Sequence, residues 1–365
     1  WTTGLQTAHG NGVVYLTILG KYVVSQYVIT CLLNLTERGS QEWNAGIPSQ
    51  PFRREVIQHF AHLREHPAVL LANRLHAQGF WWDAMIQLAL TSTAFPDAVL
   101  TIPLPNQRYA AAGNDDLAAG KETLEELLHQ INDFCLQADF DEFYRQRQLF
   151  YDSVMHEVEA GMPDASWLEL VAGYYGAGSD EDALDFYLIP SPLSIGGQGF
   201  GAYAHRDDEL EIFSVFAPFC SVDADGTSCG FDEPGKLAEL SVHEFGHSFV
   251  NHLLEPPHYE HTTAAFAELY AAERATGQMG DAPWAILAEH IIRACEVRIA
   301  LIAGQPEDAA RLLQYNIEYN DYRHLPAVVE AMEDYEHNRL QYPSLAAFIP
   351  ELMRHLDSIA TIRNN

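Results

Sequence analysis

Residues 243–247 read His-Glu-Phe-Gly-His, inside a stretch from Leu237 to Val250 whose apolar residues recur at helical spacing. Four residues of α-helix turn through about 400°. The His243 and His247 imidazoles therefore leave one face a turn apart and can bind a single ion, with Glu244 projecting beside it. Zinc suits such a site, because it lowers the pKa of a bound water toward about 7. Glu244 is then placed to take the proton and to return it to a leaving group. The implied chemistry is hydrolysis, with Zn2+ as cofactor.

A catalytic zinc needs a third protein ligand and one open position. Glu289 lies among Ile286, Leu287, Ala288 and Ile292, where a carboxylate is costly to bury unless a cation meets it. The plain alternative is a pair with Arg293 one turn further on, or exposure of that face. Glu268, about one helix downstream of His247, is the rival ligand. A donor for the developing oxyanion is sought in the polar, aromatic segment from Tyr319 to His324. Tyr322 and His324 are its candidates, against the reading that an aromatic residue at a helix start serves packing. A second pattern, His62-Leu63-Arg64-Glu65-His66, spells the inverted word H-x-x-E-H. Pro67 pushes His66 out of the α region, so these two imidazoles are not expected to share a face.

The elements that must carry these residues divide into a helical first half, a short β region and a helical end. Val13 to Leu19 reads as a strand, Tyr22 to Leu35 as a helix, and Arg53 to Leu63, Thr123 to Leu136 and Asp141 to Ala160 as amphipathic helices. Leu184 to Ile189, Phe200 to Ala204 and Leu210 to Phe216 are short β-type runs separated by Pro and Gly. Ser221 to Gly235 reads as a loop. Helices follow at Lys236 to Leu254, Thr263 to Thr276, Pro283 to Ala303, Pro326 to Arg339 and Ser344 to Ile359. The fold class is α+β, helix-dominated, with a small antiparallel sheet next to the active-site helix. Three parts are expected: residues 1–50, 51–235, and 236–365 with the zinc ligands. Leu210 to Phe216 offers a strand edge for a bound peptide, or else an internal strand. Asp223-Ala224-Asp225-Gly226 lacks the remaining ligands of a calcium loop and reads as a polar turn.

Composition narrows the function classes. With 51 acidic and 20 basic residues the formal charge is -31, a surface that repels phosphate backbones and anionic lipid. Nucleic acid is excluded as a partner, and cationic substrates are steered in only within about 8 Å at physiological salt. The apolar stretch from Val13 to Leu35 is interrupted by Lys21, Ser25, Gln26 and Asn34, so no membrane span is expected. Five cysteines without a C-x-x-C pair exclude a cysteine zinc knuckle. Cys220 and Cys229 either close a loop by disulfide or stay reduced.

The words His243-Glu244-Phe245-Gly246-His247-Ser248-Phe249-Val250-Asn251 and Glu289-His290-Ile291-Ile292-Arg293-Ala294 resemble those of a family of mostly secreted bacterial proteins regarded as gluzincin-type metallopeptidases. His66-Pro67-Ala68-Val69, Ile189-Pro190-Ser191-Pro192-Leu193 and Tyr335-Glu336-His337-Asn338-Arg339 are similar too, so the likeness spans most of the chain from His66. It implies a zincin-like (gluzincin) fold, His243, His247 and Glu289 as zinc ligands, Glu244 as base, a peptide or protein substrate, and a secreted or periplasmic setting. The chain departs from better-known gluzincins in placing Arg293 where an aspartate often supports the first histidine, and the Gly-x-Met-Glu-Asn word of gluzincin aminopeptidases is absent. Two rival expectations keep the same metal site: hydrolysis of a non-peptide amide or ester, and a zincin-fold binding protein without turnover. Retention of Glu244 speaks against the latter, since a structural zinc has no use for a base beside it.

Overall fold

The computed structural model describes residues 2–9, 12–42, 51–176, 184–194, 199–206, 209–223, 226–254, 257–273 and 283–363. Strands β1 (Thr2–His9) and β2 (Gly12–Leu19) lead into helices α1 (Gly20–Leu35), α2 (Glu37–Glu42), α3 (Pro51–His59), α4 (Pro67–Ala77), α5 (Trp82–Leu90), α6 (Asn106–Gly113), α7 (Leu117–Gln137), α8 (Phe140–Gln146), α9 (Gln148–Gly161) and α10 (Ala165–Tyr175). Strands β3 (Leu184–Pro190), β4 (Gly199–Arg206), β5 (Glu209–Phe216), β6 (Phe219–Asp223) and β7 (Gly226–Gly230) follow. The chain ends in α11 (Pro234–Leu254), α12 (Glu260–Glu273), α13 (Pro283–Ile302), α14 (Pro306–Glu318), α15 (Leu325–His337) and α16 (Leu345–Arg363). The fold is α+β and helix-dominated. Among the described residues no helix is long and apolar enough to cross a membrane.

The five-stranded sheet has the order β1-β2-β3-β5-β4. Strand β5 thus has a neighbour on each side, as the internal-strand reading expects, and cannot take a peptide as an added strand; the edges of this sheet are β1 and β4. β4 and β5 form an antiparallel hairpin in which Gly199 faces Phe216 and Arg206 faces Glu209. The segment expected as a loop after β5 holds a second hairpin, β6 with β7, whose register sets Cys220 opposite Cys229. Those two cysteines are joined by a disulfide. Asp223 and Gly226 pair at the hairpin tip; Ala224 and Asp225 lie outside the described residues.

By internal contacts the chain divides into one unit of residues 1–4, 16–162 and 185–237 and a second of residues 5–15, 163–184 and 238–365. The first unit buries a core built on α1, α4, α5 and α7, including Tyr27, Leu32, Val69, Met85, Leu127 and Phe134. Its inverted histidine word is taken apart by Pro67. His62 is exposed, whereas His66 adopts an extended conformation (φ -64°, ψ 140°) and caps α4 by accepting from the Ala68 amide.

The second unit holds the H-E-x-x-H helix. Its core gathers Val171, Tyr175, Val242, Val250, Phe266, Ile291, Ile292, Met332 and Phe348 from α10, α11, α12, α13, α15 and α16. Helix α13 packs on α12, α14, α15 and α10. It starts at Pro283, which lacks only a donor that the first turn leaves unused. It stops because Gly304 takes the left-handed conformation (φ 74°) and Pro306 opens the next helix. Helix α11 approaches this core closely at Gly246. A Cβ there would lie 2.5 Å from the Tyr175 hydroxyl and 3.0 Å from Ile292 Cγ2, and both residues are almost fully buried. A Gly246→Ala variant is therefore expected to lose on the order of 1–3 kcal/mol of stability from overpacking, read by denaturant unfolding; unchanged stability would show that Tyr175 moves aside freely.

Candidate metal centre

Two helices of the second unit build the site. From α11, His243 and His247 stand one turn apart with ring centroids 4.8 Å apart. From α13 comes Glu289, whose Oε1 is 3.4 Å from His247 Nε2 and whose Oε2 is 3.8 Å from His243 Nε2. One ligand atom from each of these three residues lies within 4.8 Å of the others, a group that can hold a metal ion. Glu268 is exposed on α12 and lies outside this group. The carboxylate set among apolar residues is thus the one that joins the two imidazoles in this group.

Hydrogen bonding fixes how the imidazoles are presented. His243 Nδ1 is 2.8 Å from Glu296 Oε1, and a carboxylate oxygen only accepts, so Nδ1 carries the hydrogen. His247 Nδ1 faces Asn251 Oδ1 at 3.3 Å and likewise donates. Both Nε2 atoms then point lone pairs into the same space, 3.3 Å apart. Two lone pairs so close repel unless a cation or a shared proton lies between them. Glu289 Oε2 adds a buried oxygen with no hydrogen-bond partner. The donor set of two imidazole nitrogens and one carboxylate oxygen fits a divalent transition metal.

The electrostatics report the same demand. Burial alone would lower the His247 pKa, but the hydrogen bond and charge of Glu289 outweigh it and raise it to about 9. Burial alone would raise Glu289, yet the His243 charge, the His247 hydrogen bond and Arg293 hold it well below the usual carboxylate range. A proton on His247 stands in for the ion. Glu244 sits beside them, 3% exposed, with its Oε2 unbonded. Burial pushes its carboxyl pKa up, and the opposing fields of His243 and His247 do not cancel the rise.

The two candidates from the Tyr319 to His324 segment part company. Tyr322 has the Arg293 guanidinium 5.7 Å from its ring centroid, and its pKa is raised first by burial and then by the charge of Glu289, which puts it at the rim of the cluster. His324 is buried against Phe266, ring centroids 5.8 Å apart, and acts on the enclosed His290. It is not brought into the metal-ligand group. His290 itself donates Nδ1–H to the Ile286 carbonyl at 2.8 Å and packs against Phe266, Tyr270 and Tyr322, and burial lowers its pKa to about 3. It is a neutral core histidine.

Glu296 escaped the sequence reading. Its signal is spacing: it follows Glu289 by seven residues, two helical turns, so both carboxylates leave the same face of a largely apolar helix. It does for His243 what an aspartate nearer the ligand does elsewhere. Removing such a supporting carboxylate weakens metal affinity by about 10–100-fold. Glu296→Gln is expected to show that loss in chelator competition and Glu268→Gln none; the reverse pattern would move the third ligand to α12.

No curated protein and no solved structure matches the chain. Residues 46–355, a span that includes every residue of the metal centre, match the family described as a domain of unknown function (DUF4932), and the chain belongs to that family.

Proposed function

We propose that this chain is a zinc-dependent metallopeptidase of the gluzincin type. The observation that carries the reading is the convergence of His243, His247 and Glu289 on one point with the buried Glu244 beside them. Two histidines and a glutamate from separate helices make a three-ligand set with room for a fourth, exchangeable position, as catalytic rather than structural zinc sites have. Zinc bound there supplies a Lewis acid that makes water nucleophilic near neutral pH and polarises a carbonyl.

The chain's own residues supply the rest. Glu289 is fixed as an anion and so serves as ligand. Glu244, with its pKa raised, has the affinity for protons that a shuttle needs: it accepts one from water and gives it to the departing amine. Tyr322, at the rim, has the type of donor that meets negative charge developing on the carbonyl oxygen. A buried carboxylate next to three metal ligands supports turnover over mere binding, since Glu244 would otherwise be a costly unpaired group.

The test pairs metal content with peptide hydrolysis. The purified chain is expected to carry about one zinc ion for its single ligand set and to cleave members of a mixed peptide library followed by mass spectrometry. Glu244→Gln is expected to keep the zinc and lose activity by about 10²–10⁴-fold. A folded chain without zinc, or a Glu244→Gln variant as active as its parent, would contradict the proposal.

A further inference from the structure

Glu289, Arg293 and Glu296 occupy positions i, i+4 and i+7 of α13, so three charged side chains emerge along one stripe of a helix that is otherwise largely apolar. Two carboxylates on one stripe repel each other, and both are drawn out of water. Arg293 stands between them: its Nε is 3.6 Å from Glu289 Oε2 and its Nη1 is 3.6 Å from Glu296 Oε2. His243 closes the other side, with Nδ1 2.8 Å from Glu296 Oε1 and Nε2 3.8 Å from Glu289 Oε2. The four groups form a closed circuit, Glu289 to His243 to Glu296 to Arg293 and back. The guanidinium also lies 5.7 Å from the centroid of the Tyr322 ring.

We infer that Arg293 is a positioning residue of the metal centre: it fixes the ligand carboxylate Glu289 and the supporting carboxylate Glu296 relative to each other, beside the ring of Tyr322. The inference rests on the zinc reading above. Two features of the geometry single out a brace over a simple ion pair. The separations of 3.6 Å exceed hydrogen-bond length and Arg293 Nε has no hydrogen-bond partner, so the guanidinium steadies Glu289 without occupying the oxygens an ion needs. A planar guanidinium can also face two carboxylates and a phenol at once, which the point charge of a lysine cannot. Arg293 thus stands at the position where the related pattern has an aspartate, while Glu296 supplies the carboxylate one turn further along.

The test is zinc affinity of the metal-free full chain, by chelator competition, for the parent, Arg293→Gln, Arg293→Lys, Glu296→Gln and the Arg293→Gln/Glu296→Gln double variant, each checked for a cooperative thermal transition. Arg293→Gln is expected to weaken binding by about 10–100-fold, and Arg293→Lys to recover only part of the loss. The double variant is expected to lose less than the product of the single losses, because both changes open one circuit. Parent-like affinity in folded Arg293→Gln, full recovery by lysine, or losses that simply multiply would each overturn the inference while leaving the zinc site intact. A parent chain that binds no zinc would overturn both. Should Arg293→Gln fail to fold, Arg293→Lys decides alone, unchanged affinity being the overturning result.

Discussion

Two imidazole nitrogens carrying lone pairs 3.3 Å apart in a partly buried site repel each other unless a proton or a cation is shared between them. That constraint organises the second unit. Glu296 and Asn251 hold the Nδ1 hydrogens and so turn both Nε2 atoms inward. Glu289 brings the negative charge that makes a cation welcome there, and it is itself affordable in apolar surroundings only because of the cation and Arg293. Remove the positive charge and the same arrangement must take up protons, which is what the raised His247 pKa describes.

Helix α13 carries most of this burden, because its faces do different work. One stripe bears Glu289, Arg293 and Glu296; another, with Ile286, Leu287, Ile291, Cys295 and Ile299, is sealed into the core. Burying so much apolar surface stabilises the helix position, and a position held that firmly is what lets a carboxylate stay within a few tenths of an ångström of a ligand geometry. Helix α11 is held against it by close contact at Gly246, whose lack of a side chain lets the Ile292 side chain of α13 approach the α11 backbone.

Much of this was legible in the residues. The H-E-x-x-H word carried its helix with it, since a strand also puts residues four apart on one face but about 13 Å from each other, and one turn of helix brings both imidazoles close enough to share an ion. Glu289 could be preferred over Glu268 on burial alone, because a carboxylate among isoleucines demands a partner. Other features depended on neighbours that spacing cannot show. The expected helix from Asp141 to Ala160 is broken at Arg147, which takes φ -111° and ψ 15° between α8 and α9. The segment after β5 pairs with itself as β6 and β7, and β5 became internal because β3 and β4 both found it. Tyr322 and His324 look alike as polar aromatics two residues apart, yet one borders the metal ligands and the other lies against Phe266. Glu296 was hidden by its distance from Glu289, being two turns away where one turn was the place to look.

The most direct test of the central claim is zinc K-edge X-ray absorption on the zinc-loaded chain. The account predicts a first shell of nitrogen and oxygen only, at about 2.0–2.2 Å, fitted by two imidazoles, one carboxylate and one further light atom, with one imidazole lost in a His247→Ala variant. A shell containing sulfur, a single imidazole, or a spectrum unchanged by His247→Ala would contradict it.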